Sequence, residues 1–244
     1  MGQIKFITDF DDQFYLSKRI FVRVDFNVKV KDNAVSEDYR IRSAIPTIEY
    51  LVKRGAKVIL ASHLDRPSGK DLRYSLRPVS KKLSEMLASF NAKVTFSDDC
   101  IGKDTIDLIN GLKNGDVLLL ENLRFYSEEE KNDPVFSEKL ANYADIYVND
   151  AFSTSHRKHS STYGTAKYFD TRIAGFNLTQ ELQYLSVLRE NPSIPFTLVI
   201  GGVKIKDKIG ALNHLLPKAN KVLIGGAASY TFLKAKGYSV GDSL

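Results

Sequence analysis

Cysteine is almost absent from the sequence: Cys100 is the only one in 244 residues. No internal disulfide can form, which fits a reducing compartment and makes the cytoplasm the expected location. Long apolar runs are missing too, none approaching the roughly 20 residues that a membrane span needs. The opening residues, MGQIKFITDFDDQF, lack the basic start and long apolar stretch of a secretory signal. Phe6 stands where a myristoylation pattern requires Ser or Thr. The common phosphate-binding spellings, GxxxxGK[ST] and GxGxxG, do not occur either. Neither low-complexity segments nor short-period repeats are present.

What is there points to a folded α/β chain. Hydrophobic residues make up 43% and charged residues 26%, the balance of a globular protein and not of a disordered one. The length allows one large domain or one and a half ordinary ones. RIFVRVDFN (19–27), KVILASH (57–63), DVLLLEN (116–122), DIYVND (145–150), FTLVIGG (196–202) and KVLIGG (221–226) read as strands. Several are apolar at every position, as a sheet covered on both faces demands. Between them, EDYRIRSAIPTIEYLVKRG sets Ile41, Ile45, Ile48, Leu51 and Val52 at helical spacing, with Gly55 placed to close the helix. RPVSKKLSEMLASF and FSEKLANYA are amphipathic as well. Strand alternating with helix predicts an α/β fold, a mainly parallel sheet with helices on both faces. NLTQELQYLSVLRENP reads as one further helix, after which only two βα units remain, a thin sheet with little core.

In open parallel sheets, ligands bind beyond the carboxyl ends of the strands. Here the first strand runs into Asp25 and Asn27, the second into His63 and Arg66, the third into Arg124, and the fourth into His156 and Arg157; Arg40 opens the helix after the first. Taken alone, each has a plain structural explanation: a solvated arginine, a turn-forming Asp or Asn, a capping histidine. Together, four strand ends share one chemistry. Guanidiniums around one pocket repel each other unless an anion sits among them, and each charge-assisted contact to phosphate or carboxylate contributes roughly 1.5–3 kcal/mol. The net charge of +6 favours anionic partners in general. Convergence on a point, where a nucleic-acid binder would spread its cations along a face, favours a small and multiply charged one. Further on, IGGVKIKDKIG sets Gly201 and Gly202 after a strand, followed by Lys204, Lys206 and Lys208. LIGGAASYTFLKAKG repeats the plan with Gly225 and Gly226. Glycines let the backbone approach a phosphate, and a helix start adds unpaired N–H groups.

RVDFNV, DYRIRSAIPTI, SHLDRP, SLRPV, DVLLLENLRF, YVNDAF, HRKHSS, GGVKIKDKI and LIGGAASYTFLKAKG, in this order, closely resemble the phosphoglycerate kinase family over essentially the whole chain. The resemblance implies a monomeric, cytoplasmic kinase of glycolysis and gluconeogenesis with two Rossmann-like lobes. The expected organisation is a substrate lobe over 1–175, a hinge helix over 176–192 and an incomplete nucleotide lobe over 193–244. The implied reaction is reversible phosphoryl transfer between 1,3-bisphosphoglycerate and ADP, giving 3-phosphoglycerate and ATP, with neither nucleic acid nor membrane as partner. Carried over by motif, Asp25 and Asn27 would hydrogen-bond the glycerate. His63, Arg66, Arg124 and Arg157 would hold its phosphate, with His156 as a further anion ligand or support, and Arg40 would lie nearest the transferring group. Lys204 and Lys208 would meet the phosphates of Mg-ADP or Mg-ATP and, with Arg40, carry the catalytic charge; Gly201, Gly202, Gly225 and Gly226 would line the nucleotide site. Toward ATP no general base is needed, because the attacking ADP oxygen is already ionised, so positioning and charge carry the step. The lobes would close over it, the hinge absorbing the motion.

Three features depart from the family pattern. Asp65 stands where the family has the glycine of SHLGRP; Asp tolerates a left-handed backbone but sets a negative charge beside an anion site. Ser153 and Ser155 replace a usual Gly and Ala. The chain stops at Leu244, whereas two full domains take roughly 400 residues, so the Asp expected to hold Mg²⁺ and the acidic residue expected at the ribose are missing. Two expectations stand side by side: an enzyme whose 244-residue chain transfers phosphoryl groups poorly or not at all, and a non-catalytic homologue that binds a phosphorylated acid. A nucleic-acid protein is the third, and would bind in a way that collapses with salt and survives loss of Arg157.

Overall fold

The computed structural model describes residues 4–203 and 206–243. Its strands are β1 (Lys5–Phe6), β2 (Arg19–Arg23), β3 (Val30–Lys31), β4 (Ala34–Val35), β5 (Lys57–Ala61), β6 (Val94–Phe96), β7 (Val117–Leu119), β8 (Ile146–Asn149), β9 (Arg172–Ala174), β10 (Thr197–Ile200) and β11 (Lys221–Ile224). The helices are α1 (Asp12–Tyr15), α2 (Tyr39–Lys53), α3 (Arg77–Leu87), α4 (Lys103–Asn110), α5 (Ser127–Lys131), α6 (Pro134–Ala141), α7 (Phe176–Glu190), α8 (Ile209–Leu215) and α9 (Ala228–Ala235). Seven strands pair in parallel in the order β1-β9-β8-β2-β5-β7-β6. The chain leaves β2 toward β5 on one side and comes back to β8 on the other. The order therefore reverses at the centre of the sheet, with the carboxyl ends of β2, β5, β7 and β8 on one edge.

Alternation along each strand fills two cores. Ile20, Val22, Val58, Leu60, Val117 and Leu119 pack with α2 and α3, whereas Phe21, Ile59, Ala61, Leu118 and Leu120 pack with α4 and α6. Burial on both faces is why these segments are apolar at successive positions. In α2, Ile41, Ile48 and Leu51 face inward, and the helix ends where predicted: Gly55 has φ +68° and donates to the Val52 carbonyl at 2.9 Å. A Cβ there would lie 2.8 Å from Leu16 Cδ1, so the left-handed turn and the close packing both ask for glycine.

The six predicted strands all form. The short strands β1, β6 and β9, the β3–β4 hairpin and helices α1, α4 and α5 are additions of the structure. Two units emerge, Met1–Glu181 and Leu182–Leu244, with α7 carrying the boundary. The start of α7 is capped by the buried Asp150, whose Oδ1 accepts from the amides of Asn177 at 2.8 Å and Leu178 at 3.2 Å. Burial pushes this carboxyl up to about 7, against the pull of Thr47 and the two amides. In the second unit β10 and β11 pair in parallel as a two-stranded sheet. Among the described residues, no helix is long and apolar enough to cross a membrane.

Candidate active site

At the end of β2 an arginine, Arg23, is buried in the middle of the sheet. Its Nε donates to Ser161 Oγ at 2.8 Å, one terminal nitrogen to the Val24 carbonyl, and the other meets His63 Nδ1 at 3.1 Å. Ser161 passes the bond on: its hydroxyl donates to Glu129 Oε1 at 2.5 Å and its amide to Oε2 at 2.9 Å. A buried cation and a buried carboxylate are thus joined through one hydroxyl, which is how such groups are tolerated in a core. Burial pushes the Glu129 carboxyl up, while Arg23 and Ser161 pull it down. Arginine has no acceptor, so His63 Nδ1 must receive from Arg23 and the ring hydrogen sits on Nε2. Burial, helped by Arg23, Arg124 and Arg157, drives His63 down to about 2. At neutral pH it is an uncharged N–H donor and not an acid or base.

Asn122 and Glu121 fasten the neighbouring strand ends. Asn122 Oδ1 accepts from the amides of Leu64 (3.2 Å) and Arg124 (3.0 Å), and its Nδ2 donates to the carbonyls of Leu64 (2.8 Å) and Tyr74 (2.9 Å). One amide side chain therefore ties the loop after β5 to the turn after β7. Glu121 receives the Ser75 hydroxyl at 2.6 Å and the amides of Leu76 (2.8 Å) and Asn122 (2.7 Å), holding the approach to α3. Arg124, placed by this frame, reaches the Asp65 carbonyl at 2.6 Å and Glu130 at 3.1 Å. Its Nε is buried without an acceptor among the described residues.

Asp65 takes φ 55°, the left-handed conformation that a glycine would adopt freely. Its amide donates to Asn27 Oδ1 at 2.8 Å, and its side chain is exposed. Asp25 accepts from the Asn27 amide at 3.0 Å on one oxygen, and from Arg40 and the Ser153 hydroxyl on the other. A cleft of about 680 Å³ opens beside Asn27, Arg40 and Asp65, and one of about 300 Å³ beside Asp25, Arg40 and Ser153.

After β8, Arg157 is half-buried and forms no salt bridge among the described residues. It lies near enough to help hold down His63, His159 and Arg124. His159 is half-buried, and burial, Arg124 and Arg157 lower it. Arg66 and His156 are exposed on their loops. Thus Arg23, His63, Arg124, Arg157 and His159 come together, and Asp25, Asn27 and Arg40 form an adjoining group. Sequence reasoning missed Arg23, His159, Ser161 and Glu129. Of these, only Arg23, a cation inside an otherwise apolar central strand, carried a readable signal.

In the second unit, Gly202 (φ +118°) and Gly226 (φ +62°) follow β10 and β11. A Cβ on Gly202 would meet Lys208 Nζ at 2.9 Å, and one on Gly226 would lie 3.9 Å from the Gly202 amide. The two glycine loops are neighbours, with the Lys208 ammonium against one of them; Gly201 and Gly225 have open space where a Cβ would stand. Lys204 lies outside the described residues. Among the described residues, no three His, Cys, Asp or Glu side chains gather as a metal site.

A family model described as phosphoglycerate kinase matches residues 9–244. The chain belongs to the phosphoglycerate kinase family. Phosphoglycerate kinase of Borrelia turicatae is 50% identical over 242 residues, covering 99% of this chain and 60% of the relative. Phosphoglycerate kinase 1, chloroplastic, of Arabidopsis thaliana is 52% identical over 228 residues, covering 93% and 47%. Among solved structures, phosphoglycerate kinase from Coxiella burnetii matches with a TM-score of 0.83 at 34% identity, over 99% of this chain and 59% of that one. The phosphoglycerate kinase from Pyrococcus horikoshii matches with the same TM-score at 33% identity. The chain spans 60% or less of the length of these relatives.

Proposed function

We propose that the first unit binds 3-phosphoglycerate or 1,3-bisphosphoglycerate and that the second contributes to binding Mg-ADP or Mg-ATP, in a phosphoglycerate kinase reaction. The observation that carries this reading is the charge at the strand ends. Arg23, Arg124 and Arg157 face two carboxylates, Glu129 and Glu130, and the neutral His63 adds a further N–H. That excess of donors matches a phosphate, to which guanidiniums bind through charge-assisted hydrogen bonds. Arg66 and His156, exposed on the same loops, would be further ligands, a reading the family resemblance supports. Asp25 and Asn27 take the glycerate hydroxyl and carboxyl region, and Arg40, braced by Asp25, stands nearest the transferring group.

In the ATP-forming direction, an oxygen of the ADP β-phosphate attacks the phosphorus of the acyl phosphate. The bond from that phosphorus to the carboxyl oxygen breaks, 3-phosphoglycerate leaves as the carboxylate, and no proton changes hands. Arg40, Lys204 and Lys208 supply positive charge to the equatorial oxygens. The loops of Gly201, Gly202, Gly225 and Gly226 offer backbone to the nucleotide phosphates, and magnesium arrives as the nucleotide's own counter-ion.

Calorimetric titration with 3-phosphoglycerate tests the first half. We expect binding by the intact chain and, for Arg157→Ala, a loss of roughly 10- to 150-fold, the equivalent of one charged contact. No binding by the intact chain, or equal binding by the variant, would overturn the assignment.

A further inference from the structure

On the face of the sheet away from α2 and α3, helix α4 and the end of α6 leave a cleft of about 430 Å³, within the range of small-molecule pockets. Its walls are mainly apolar. Ile109 sits in the core, Ile106 stays 45% exposed at the mouth, and Tyr143 is buried beneath. An exposed isoleucine on a convex helix surface needs no explanation; here it lines a concavity that continues onto buried apolar surface. Arg19, Lys103 and Lys139 also line the cleft, and among the described residues no Asp or Glu does. Arg19 is held by Asp145 at 2.7 Å and Lys103 by Asp107 at 2.6 Å. Lys139 forms no salt bridge among the described residues. The cleft reaches Arg19, the first residue of β2, so it extends toward the edge of the sheet opposite the arginine cluster.

An apolar interior with an unneutralised ammonium at its mouth selects an apolar body carrying one negative charge. We propose that this cleft is a second ligand site, for a small amphipathic monoanion: a medium-chain alkyl carboxylate whose chain lies on Ile106, Ile109 and Tyr143 and whose carboxylate meets Lys139. The proposal is independent of the phosphoglycerate site.

The test is a titration of the ¹⁵N-labelled full chain with decanoate below its micelle concentration, followed by amide shifts. Ile106 and Lys139 are both exposed, so Ile106→Asp and Lys139→Ala leave the core intact. Saturable shifts confined to residues 101–110 and 139–143 are expected, with affinity reduced at least about 10-fold in each variant and for the neutral decanamide. An absence of saturable shifts, shifts that persist unchanged in both variants, or equal binding of decanamide would overturn it.

Discussion

The two units are built from the same βα pieces yet treat their strands in opposite ways. In the first, Phe21, Val22, Ile59 and Leu60 have no exposed surface; in the second, Val199 is 71% and Leu223 56% exposed. The segments KVILA and KVLI are nearly the same word. What differs is company. Strand β5 has a partner on each side and helices over both faces, whereas among the described residues β10 and β11 pair only with each other. Apolar sequence sets what a strand can bury, and the number of neighbours sets how much it does bury.

That comparison can be broken experimentally. The largest expected effect is in hydrogen exchange: amides of β10 and β11 should exchange at least about 1000-fold faster than those of β2 and β5, since local opening follows buried contacts. Equal protection in the two sheets would mean that layer number does not govern their stability. Next comes side-chain truncation. Leu60→Ala should destabilise the first unit by about 2–5 kcal/mol in urea unfolding, and Val199→Ala should change the second by less than about 0.5 kcal/mol. A large cost at Val199 would show that its exposure understates its packing.

A further effect concerns pH and belongs to the first unit. His63 falls from 6.5 to about 2 on folding and Asp150 rises from 3.8 to about 7. Between about pH 4 and 6.5, unfolding therefore takes up a proton at His63 and releases one at Asp150, so their contributions to the slope cancel. His159, lowered, and Glu129, raised, lean the same two ways. Asp150→Asn removes one side of the balance. The variant should lose stability by about 1.4 kcal/mol more than the parent for each pH unit descended through that window. Parallel urea midpoints for parent and variant against pH would sink this account.

Legibility followed the same divide between self-contained and borrowed structure. The central strands could be read because burial on both faces leaves an apolar word. Strands β1, β6 and β9 could not, being two or three residues of mixed polarity whose extended form depends on pairing: Lys5 with Ile173, Val94 with Val117, Tyr147 with Arg172. The β3–β4 hairpin did carry a signal, Asp32 and Asn33 with φ of 51° and 57°, residues that tolerate the two positive φ angles of such turns. In the candidate site, residues directly after strands were legible because parallel topology sends them to one edge. Asp65 was also legible, in the conformation its place in the motif required. The link from Glu129 to Ser161 was not, since nothing local joins residues 32 positions apart. Nor does spacing reveal that His159 is drawn toward the arginines while His156 remains exposed; the turn after β8 decides that.

The bonds through Arg23 have a direction. Arginine can only give, Ser161 receives and passes on, and Glu129 receives at both oxygens. On the other side of the guanidinium, His63 keeps a single ring hydrogen, on the nitrogen that Arg23 does not touch. On the function proposed above, a phosphate at this edge would meet a histidine whose tautomer is already fixed by Arg23. The direction of every bond through Arg23 is set when the sheet folds.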